Sequence, residues 1–420
     1  MASIMTTGSE SSGSLPLPAI DVSRCKGCGR CVAACGERLV SLATSGTRKH
    51  AVLASPGACV SCGNCIRECL FGAISRQGEA IPREPSRSFP WPQGELPLML
   101  APMQGLTNRA IRSLFVQWVR PDTVFTEFMR VSSVSAKRLT PSDRREITDT
   151  EEGVPLVVQL VGHGAQALVD AALAAQAAGA RHINLNMGCP YGRMTTGLTG
   201  GGMLRRPEEL YEVIPALRRA ISGTFSIKLR AGYDDPNQVL TLLPLFESAG
   251  VDFLVLHPRT VVQEYGGLAD HAVTTAVVKR TSLPVIANGD IRTAPDGLRV
   301  LRDTGAAGLM LGRGAIADPL LFERLRGRAA ATPERQERAT LLCRYLREVL
   351  GRYQETFCGE TQVLGKVKAI LATMEDDDLG KILKQLRKAQ NVRAFVAVLD
   401  GIGSLAPARA DGGDHHRHRS

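Results

Sequence analysis

The sequence predicts an α/β chain whose largest part is a (β/α)8 TIM barrel, preceded by an iron–sulfur domain and followed by a helical domain. Three observations carry this. Eight short apolar runs alternate with Ala- and Leu-rich amphipathic stretches over residues 97–330, the repeat of a closed parallel barrel. Eight of the eleven cysteines form two copies of C-x2-C-x2-C-x3-C. From about Thr332 to Ile402, apolar residues recur every three or four positions, the period of packed helices.

Residues 1–18 are polar and Gly/Ser-rich, with no apolar signal core, and read as disordered. The cysteines that follow are therefore expected to meet a reducing, cytoplasmic environment. Residues 19–79 hold the two runs, Cys25, Cys28, Cys31, Cys35 and Cys59, Cys62, Cys65, Cys69. Each run lets three thiolates reach one cubane while its fourth cysteine ligates the neighbouring one. One [4Fe–4S] cluster then takes Cys25, Cys28, Cys31 and Cys69, and the other Cys59, Cys62, Cys65 and Cys35. Zinc would leave the third cysteine of each run idle, and disulfides would need an oxidising compartment. The pattern resembles bacterial ferredoxins, except that Gly36 and Leu70 follow the fourth cysteines where proline is usual. A ferredoxin-like electron-handling domain is expected.

Residues 80–96 carry four prolines and read as a stiff linker. The barrel strands are expected at Pro97–Ala101, Thr123–Phe128, Leu156–Leu160, His182–Asn186, Phe225–Arg230, Phe253–His257, Val285–Asn288 and Gly308–Leu311. Helical segments such as Gln166–Ala178 and Pro207–Ala220 lie between them. A doubly wound sheet competes, yet no G-x-G-x-x-G follows the first strand. Over 331–405 helices are expected at Ala339–Tyr353, Gln362–Thr373 and Leu379–Lys388, and residues 406–420 read as a disordered tail with His415, His416 and His418.

Net charge is +10 and the pI near 9.2, which favours an anionic partner, nucleic acid above all. No stretch approaches the twenty apolar residues of a membrane span. Lys381, Lys384 and Lys388 share a helix face with Arg387 beside them. Such a face suits RNA, although a plainly solvated face fits the same pattern.

In a barrel of this kind, function sits on the loops that follow the strands. Polar residues gather there: Gln104 after the first strand, Gln159 on the third, Asn186 and Cys189 on and after the fourth, Lys228 and Arg230 on the fifth, His257 on the sixth. Gly-rich turns follow the seventh strand, at Asn288-Gly289-Asp290, and the eighth, at Gly312-Arg313-Gly314. Such turns, opening onto helix N termini, form a phosphate cradle. A phosphate cradle, a lysine for a flat ring and an attached iron–sulfur module suggest FMN. Cys189, between Gly188 and Pro190 and before the loop Gly192–Gly202, is placed to act as an acid, since a thiol moves its proton near neutral pH. Cys343 and Cys358 are expected to be inert buried thiols.

From about Leu98 to Arg328 the sequence resembles the tRNA-dihydrouridine synthases. The resemblance rests on APMQGLTNRAIRSLF at 101–115, TEF at 126–128, VVQLVG at 157–162, INLNMGCPYGRM at 183–194 and TGGGMLRRPEEL at 199–210. It continues with SIKLRAGYDD at 226–235, HPRTVVQEYGG at 257–267, VIANGDI at 285–291 and LMLGRGA at 309–315. It implies a flavoenzyme that reduces the C5–C6 bond of uridine in RNA, tRNA above all, to 5,6-dihydrouridine. Pro102, Met103, Gln104, Gln159, Lys228, Asn288, Gly289, Asp290, Gly312 and Arg313 would hold FMN, with His257 beside it. Hydride would pass from FMNH2 to C6 and a proton from Cys189 to C5, while Asn186 and Arg259 help seat the base. Lys228 and His257 are candidates to hold the uracil carbonyls, the uridine must leave its stack, and the C-terminal helices would grip phosphates.

Two features depart from the family. Pro258 stands where glycine usually follows the histidine, and the ferredoxin-like module is additional. Typical members take electrons from NADPH; here the clusters could relay them to FMN from NADPH, reduced ferredoxin or another external donor protein. The alternative reading is an FMN and iron–sulfur reductase or dehydrogenase of free pyrimidines, which the Met187-Gly188 pair, the His-Pro-Arg-Thr segment and the basic tail disfavour. A non-catalytic RNA-binding or electron-carrier protein on a decayed barrel would predict loss of Cys189, Lys228 or the cradle, and all are present.

Overall fold

The computed structural model describes residues 16–403 except 23–24, 26, 47, 70–72, 78–88, 93, 132–138, 149–152 and 193–196. Both expected disordered ends, most of the linker and the tail histidines therefore fall largely or wholly outside the described residues. The chain divides into two compact units, residues 1–87 and 88–420.

In the first unit, strand β1 (Pro18–Ile20) pairs antiparallel with β4 (Ile74–Arg76), and β2 (Val40–Ser45) forms a hairpin with β3 (Arg48–Leu53). Each cysteine run opens a short helix, Arg30–Ala34 or Asn64–Arg67, straight after a left-handed glycine, Gly29 or Gly63. Only glycine takes that backbone shape without strain. In both runs the third cysteine, Cys31 or Cys65, is buried and the second, Cys28 or Cys62, is exposed.

The second unit is built on a closed ring of eight parallel strands. They are β5 (Leu98–Leu100), β6 (Thr123–Phe125), β8 (Leu156–Val161), β9 (His182–Met187), β10 (Thr224–Arg230), β11 (Phe253–His257), β12 (Val285–Asn288) and β13 (Gly308–Leu311). The ring closes where β6 pairs with β8 and β13 pairs with β5. The expected strand Thr123–Phe128 is broken: it stops at Phe125, and a two-residue strand β7 (Met129–Arg130) resumes beside β8. Thr126 still donates its backbone N–H to Val157 O at 3.0 Å, but its hydroxyl is the acceptor for the Gln159 backbone N–H, also at 3.0 Å, and regular pairing stops there.

Inward-pointing Met99, Phe125, Val157, Phe253, Val255, Ile286 and Met310 fill the lower barrel. Phe89 and Trp91, from the run read as linker, pack against them, with Trp91 edge-on to Phe253 at 4.9 Å. Thr123 Oγ1 donates to Pro90 O at 2.5 Å. Above this apolar plug lies a polar layer, Ser226, Asn184 and Gln159, all fully buried. Strands with inward polar groups are stable only if each group is partnered, and these form a chain: Asn184 Nδ2 donates to Ser226 Oγ, and Gln159 Nε2 to Asn184 Oδ1, both at 2.8 Å.

The C-terminal segment folds as helices Arg335–Thr356, Glu360–Leu371, Gly380–Lys388 and Val392–Gly403. Their apolar faces share one core with the barrel helix Arg109–Val119. Tyr345 meets Phe115 and Trp118 edge-on, with centroids 6.5 and 6.1 Å apart. Lys381, Lys384 and Lys388 are exposed while Leu383 and Leu386 are buried, as the helical spacing requires. Arg387 instead turns back to donate to Leu371 O and Met374 O, closing the end of the preceding helix. Cys343 is half-buried, but Cys358 is exposed, contrary to the expectation of a buried thiol, because the helix has ended two residues before it.

Candidate active site

The eight cysteines of the two runs fall into two groups. Burial pushes the Cys31 thiol up to about 11, and Cys69, Cys25 and Cys28 add to the rise. Cys65 is raised by burial and by Cys59, Cys62 and Cys35. Each buried thiol therefore faces two partners of its own run and the fourth cysteine of the other. Backbone amides of Ala51, Leu39 and Ala73 donate to the sulfurs of Cys25, Cys35 and Cys69, each at 3.2 Å, an arrangement that favours thiolate. Among the described residues no three His, Cys, Asp or Glu side chains converge tightly enough for a single metal ion. A cubane would spread its four ligands over a wider frame, and each group offers the four thiols that one requires.

At the C-terminal end of the barrel strands lies a cavity of about 500 Å³, within the range that takes a cofactor and part of a substrate. The structure brings to its wall Pro102, Met103, Gln104, Asn186, Cys189, Lys228, His257, Asn288, Gly289, Asp290, Gly312 and Arg313. Arg230, Arg292, Tyr191, Tyr265, Phe128 and Thr373 join them. Arg230 had a sequence signal, since it lies two residues from Lys228 and so on the same strand face. Thr373 comes from the helical segment, and only the tertiary fold places it there.

Two expected site residues are withdrawn from the wall. Gln159 is fully buried, with its amide nitrogen on Asn184 and its oxygen accepting from Asn186 Nδ2 at 2.9 Å. Arg259 is 3% exposed and clasps Asp290 through both terminal nitrogens, at 3.0 and 2.7 Å. It also donates to Gly266 O and Gly267 O. Both side chains position others.

Cys189 is half-buried on a loop held by four hydrogen bonds to three residues. Asn186 Oδ1 accepts from the amides of Gly188 and Cys189, both at 3.0 Å. Arg230 Nε donates to Gly188 O at 2.9 Å, and the Gly201 amide to Cys189 O at 2.9 Å. A side chain at Gly201 would meet Val261 at 2.7 Å and that same carbonyl at 2.9 Å, so only glycine lets the loop seat. Gly200–Arg205 is a short helical segment buried from Gly200 to Leu204, which makes this half of the Gly-rich loop a support for Cys189. Residues 193–196 of the loop lie outside the described residues.

The electrostatics of the cavity are one-sided. Lys228, which opens onto the cavity but is closed off from bulk water, donates to Asn288 Oδ1 at 3.0 Å. Burial, with Arg230 nearby, lowers it to about 8. Burial also drives His257 well below its ordinary value, reinforced by Lys228, Arg230, Arg259 and Arg313, so the imidazole is neutral. Arg259 Nη1 lies 3.1 Å from His257 Nε2. Since a guanidinium only donates, Nε2 must be the acceptor and the ring proton sits on Nδ1. Asp290 is held below its ordinary value: burial works against this, but hydrogen bonds from Arg259 and the Ala269 amide and the Arg313 charge prevail.

The two Gly-rich turns are not equivalent. The helix after β12, Ala294–Thr304, is closed by a Thr293/Asp296 capping box, so its N-terminal amides are served internally. The helix after β13, Arg313–Ala317, has no side-chain cap, and Arg313 lies on the cavity wall. Gly289 (φ 117°) comes so close to His257 that a Cβ would lie 2.8 Å from its ring. The uncapped amides, Arg313, the buried lysine and the bare Gly289 backbone fit a phosphorylated flat ring, as FMN is.

Most of the chain's length matches two known families. Residues 99–399 match the dihydrouridine synthase (Dus) family model and residues 24–73 a 4Fe-4S dicluster domain. A probable tRNA-dihydrouridine synthase of Rhodobacter capsulatus is 36% identical over 53% of this chain and 68% of its own length. A tRNA-dihydrouridine(16) synthase of Haemophilus influenzae is 34% identical over 56% and 78%. One of Cupriavidus necator is 30% identical over 74% of this chain and 98% of its own. Morphinone reductase matches with a TM-score of 0.43 at 16% identity, over 58% of this chain and 88% of that one, a likeness too slight to inform the site. The chain belongs to the dihydrouridine synthase family of flavin oxidoreductases and carries a 4Fe-4S dicluster domain ahead of the family's barrel.

Proposed function

We propose that this enzyme reduces the C5–C6 bond of uridine in tRNA to 5,6-dihydrouridine, with FMN in the barrel and two [4Fe–4S] clusters passing it electrons. The observation that carries the reading is a clamped, half-buried cysteine on the wall of a cationic cavity suited to FMN, in a chain of this family. Pro102, Met103, Gln104, Lys228, Asn288, Gly289, Gly312 and Arg313 would hold the cofactor, which when bound and reduced would supply hydride for C6. Cys189 gives the proton to C5; the loop around it keeps the thiol at one place, where positional drift of an ångström would cost rate.

Lys228 and the Nδ1–H of neutral His257 are the donors available to a uracil carbonyl, which makes C6 electrophilic. A neutral His257 also spares the cavity a further positive charge. Asn186 and Gln159 act through Cys189 and its loop, and Asp290 and Arg259 through the cavity wall. The exposed lysines of Gly380–Lys388 suit RNA phosphates, whose contacts are salt-sensitive. Among the described residues no helix is long and apolar enough to cross a membrane. The electron donor would be NADPH or a reduced ferredoxin-type protein.

The test is a deletion strain. Dihydrouridine is mapped in its tRNA and rRNA, with wild type and Cys189→Ala supplied in trans. Loss at a defined tRNA uridine, restored by wild type and not by the variant, is the expected result. An unchanged map in a strain without a redundant homologue would overturn the reading in favour of free pyrimidines.

A further inference from the structure

Four large apolar side chains stand exposed on two loops at the barrel mouth: Tyr191 (52%), Val262 (61%), Tyr265 (42%) and Leu268 (85%). The loops are those after β9 and β11, the strands that carry Asn186 and His257 to the cavity. Tyr191 and Tyr265 pack together, with ring centroids 5.8 Å apart and planes 35° off parallel. Tyr265 is held in turn by two guanidinium groups, Arg313 at 4.7 Å and Arg230 at 5.3 Å from its ring. The lower ring of the pair is therefore anchored on cations, and the upper one, Tyr191, presents its surface to solvent. Both rings line the cavity, and Tyr191 lies two residues after Cys189. Apolar surface gathered beside a reaction site is usually covered by a ligand.

We propose that Tyr191, seated on Tyr265, is a stacking platform for the nucleobase next in sequence to the uridine that enters the cavity. The inference rests on the RNA reading above and extends it to a specificity contact. A uridine turned out of its stack leaves its neighbour with a bare face. Single-stranded bases dock on aromatic side chains, and such stacking tolerates any base because every base has a π-face. Arg230, 1% exposed, and Arg313 set positive charge beneath the platform, which favours the approach of an RNA strand without contact to its phosphates. A protein partner would be offered only this narrow rim, continuous with the cavity rather than separate from it. The nucleobase is therefore the occupant that the position and the charge favour.

The experiment uses holoenzyme and tRNA transcripts in which the nucleotide on either side of the target uridine is replaced in turn by an abasic residue. kcat/KM for dihydrouridine formation is measured with wild type, Tyr191→Phe and Tyr191→Ala. Tyr191→Ala should lower kcat/KM on the intact transcript by roughly 10- to 100-fold, the loss of one stacked base. Tyr191→Phe should stay within about threefold of wild type, because the ring is retained. One of the two abasic transcripts should impose the same loss on wild type and none further on Tyr191→Ala. Flavin absorbance and iron content of Tyr191→Ala should match wild type, since the side chain is half exposed.

An unchanged kcat/KM in Tyr191→Ala would overturn the platform, as would equal losses in Phe and Ala or an abasic penalty identical in wild type and Tyr191→Ala. Wild type that forms no dihydrouridine in any transcript would overturn the RNA reading itself, and the platform with it. That outcome is distinct from a working enzyme indifferent to Tyr191.

Discussion

Lys228 is held in the barrel at a thermodynamic disadvantage. Its proton affinity falls from the ordinary 10.5 to about 8 because the amine has left bulk water and faces Arg230. A tenfold change in proton affinity is worth about 1.4 kcal/mol, so keeping the amine charged in the folded protein at pH 7 costs about 3 kcal/mol. The sign follows from linkage: a group whose folded value is depressed contributes its stability above the unfolded value and loses it as pH falls through the folded one. The penalty is thus full below about pH 8, fades between 8 and 10.5, and is absent above. Lys228→Met fills similar space without charge and loses the hydrogen bond to Asn288, worth about 1 kcal/mol. The flavin-depleted variant should therefore be more stable than flavin-depleted wild type by about 2 kcal/mol at pH 7, an advantage that shrinks toward pH 10.

Urea denaturation followed by tryptophan fluorescence is the assay. Both of the chain's tryptophans lie in the barrel unit, Trp91 against Phe253 and Trp118 against Tyr345, so the signal reports that unit. The same variant should bind FMN poorly and lack activity, a residue retained for function at the expense of stability. A Lys228→Met protein that is less stable than wild type at pH 7, with an unchanged difference at pH 10, would refute the argument.

Three further outcomes are expected. His182 is lowered to about 4 by burial and by Arg181, so its stability contribution is complete above pH 6.5 and is lost as pH falls toward 4. His182→Asn should consequently lose about 2 kcal/mol less than wild type between pH 7 and pH 5 in the same urea assay, and identical losses would contradict this. Asn186→Ala removes the acceptor for two loop amides. It should cut kcat at least tenfold with FMN content intact, whereas loss of flavin would place Asn186 in cofactor binding instead. Cys25→Ser and Cys59→Ser each disable one cluster, so iron should fall from about eight to about four per chain. Flavin reduction by the physiological donor should slow in both variants while chemically reduced enzyme still turns over. Equal loss in the two assays would indicate a structural role for the clusters.

What the sequence determined by itself are the features that local spacing controls. The C-x2-C-x2-C-x3-C runs place three thiolates around one tight loop and assign each fourth cysteine, Cys35 or Cys69, to the other group. The alternation of apolar runs and helices forces a parallel ring, and a strand end in such a ring faces the cavity whatever its neighbours are. Cys189, Lys228, His257 and Gly289 were legible for that reason. Only the tertiary structure decided which polar strand residues stay on the wall. Gln159 and Asn186 stand on adjacent strands, and the register between them turns the glutamine amide inward to the Asn184 and Asn186 side chains. Arg259 is spent on Asp290, a partner 31 residues away, which no local pattern signals. The left-handed backbone at Gly200 and Gly289, the stacked tyrosines and the core shared by barrel and C-terminal helices likewise depend on which distant surfaces meet. Spacing along the chain sets where a side chain can reach, and the packed neighbours set what it holds when it arrives.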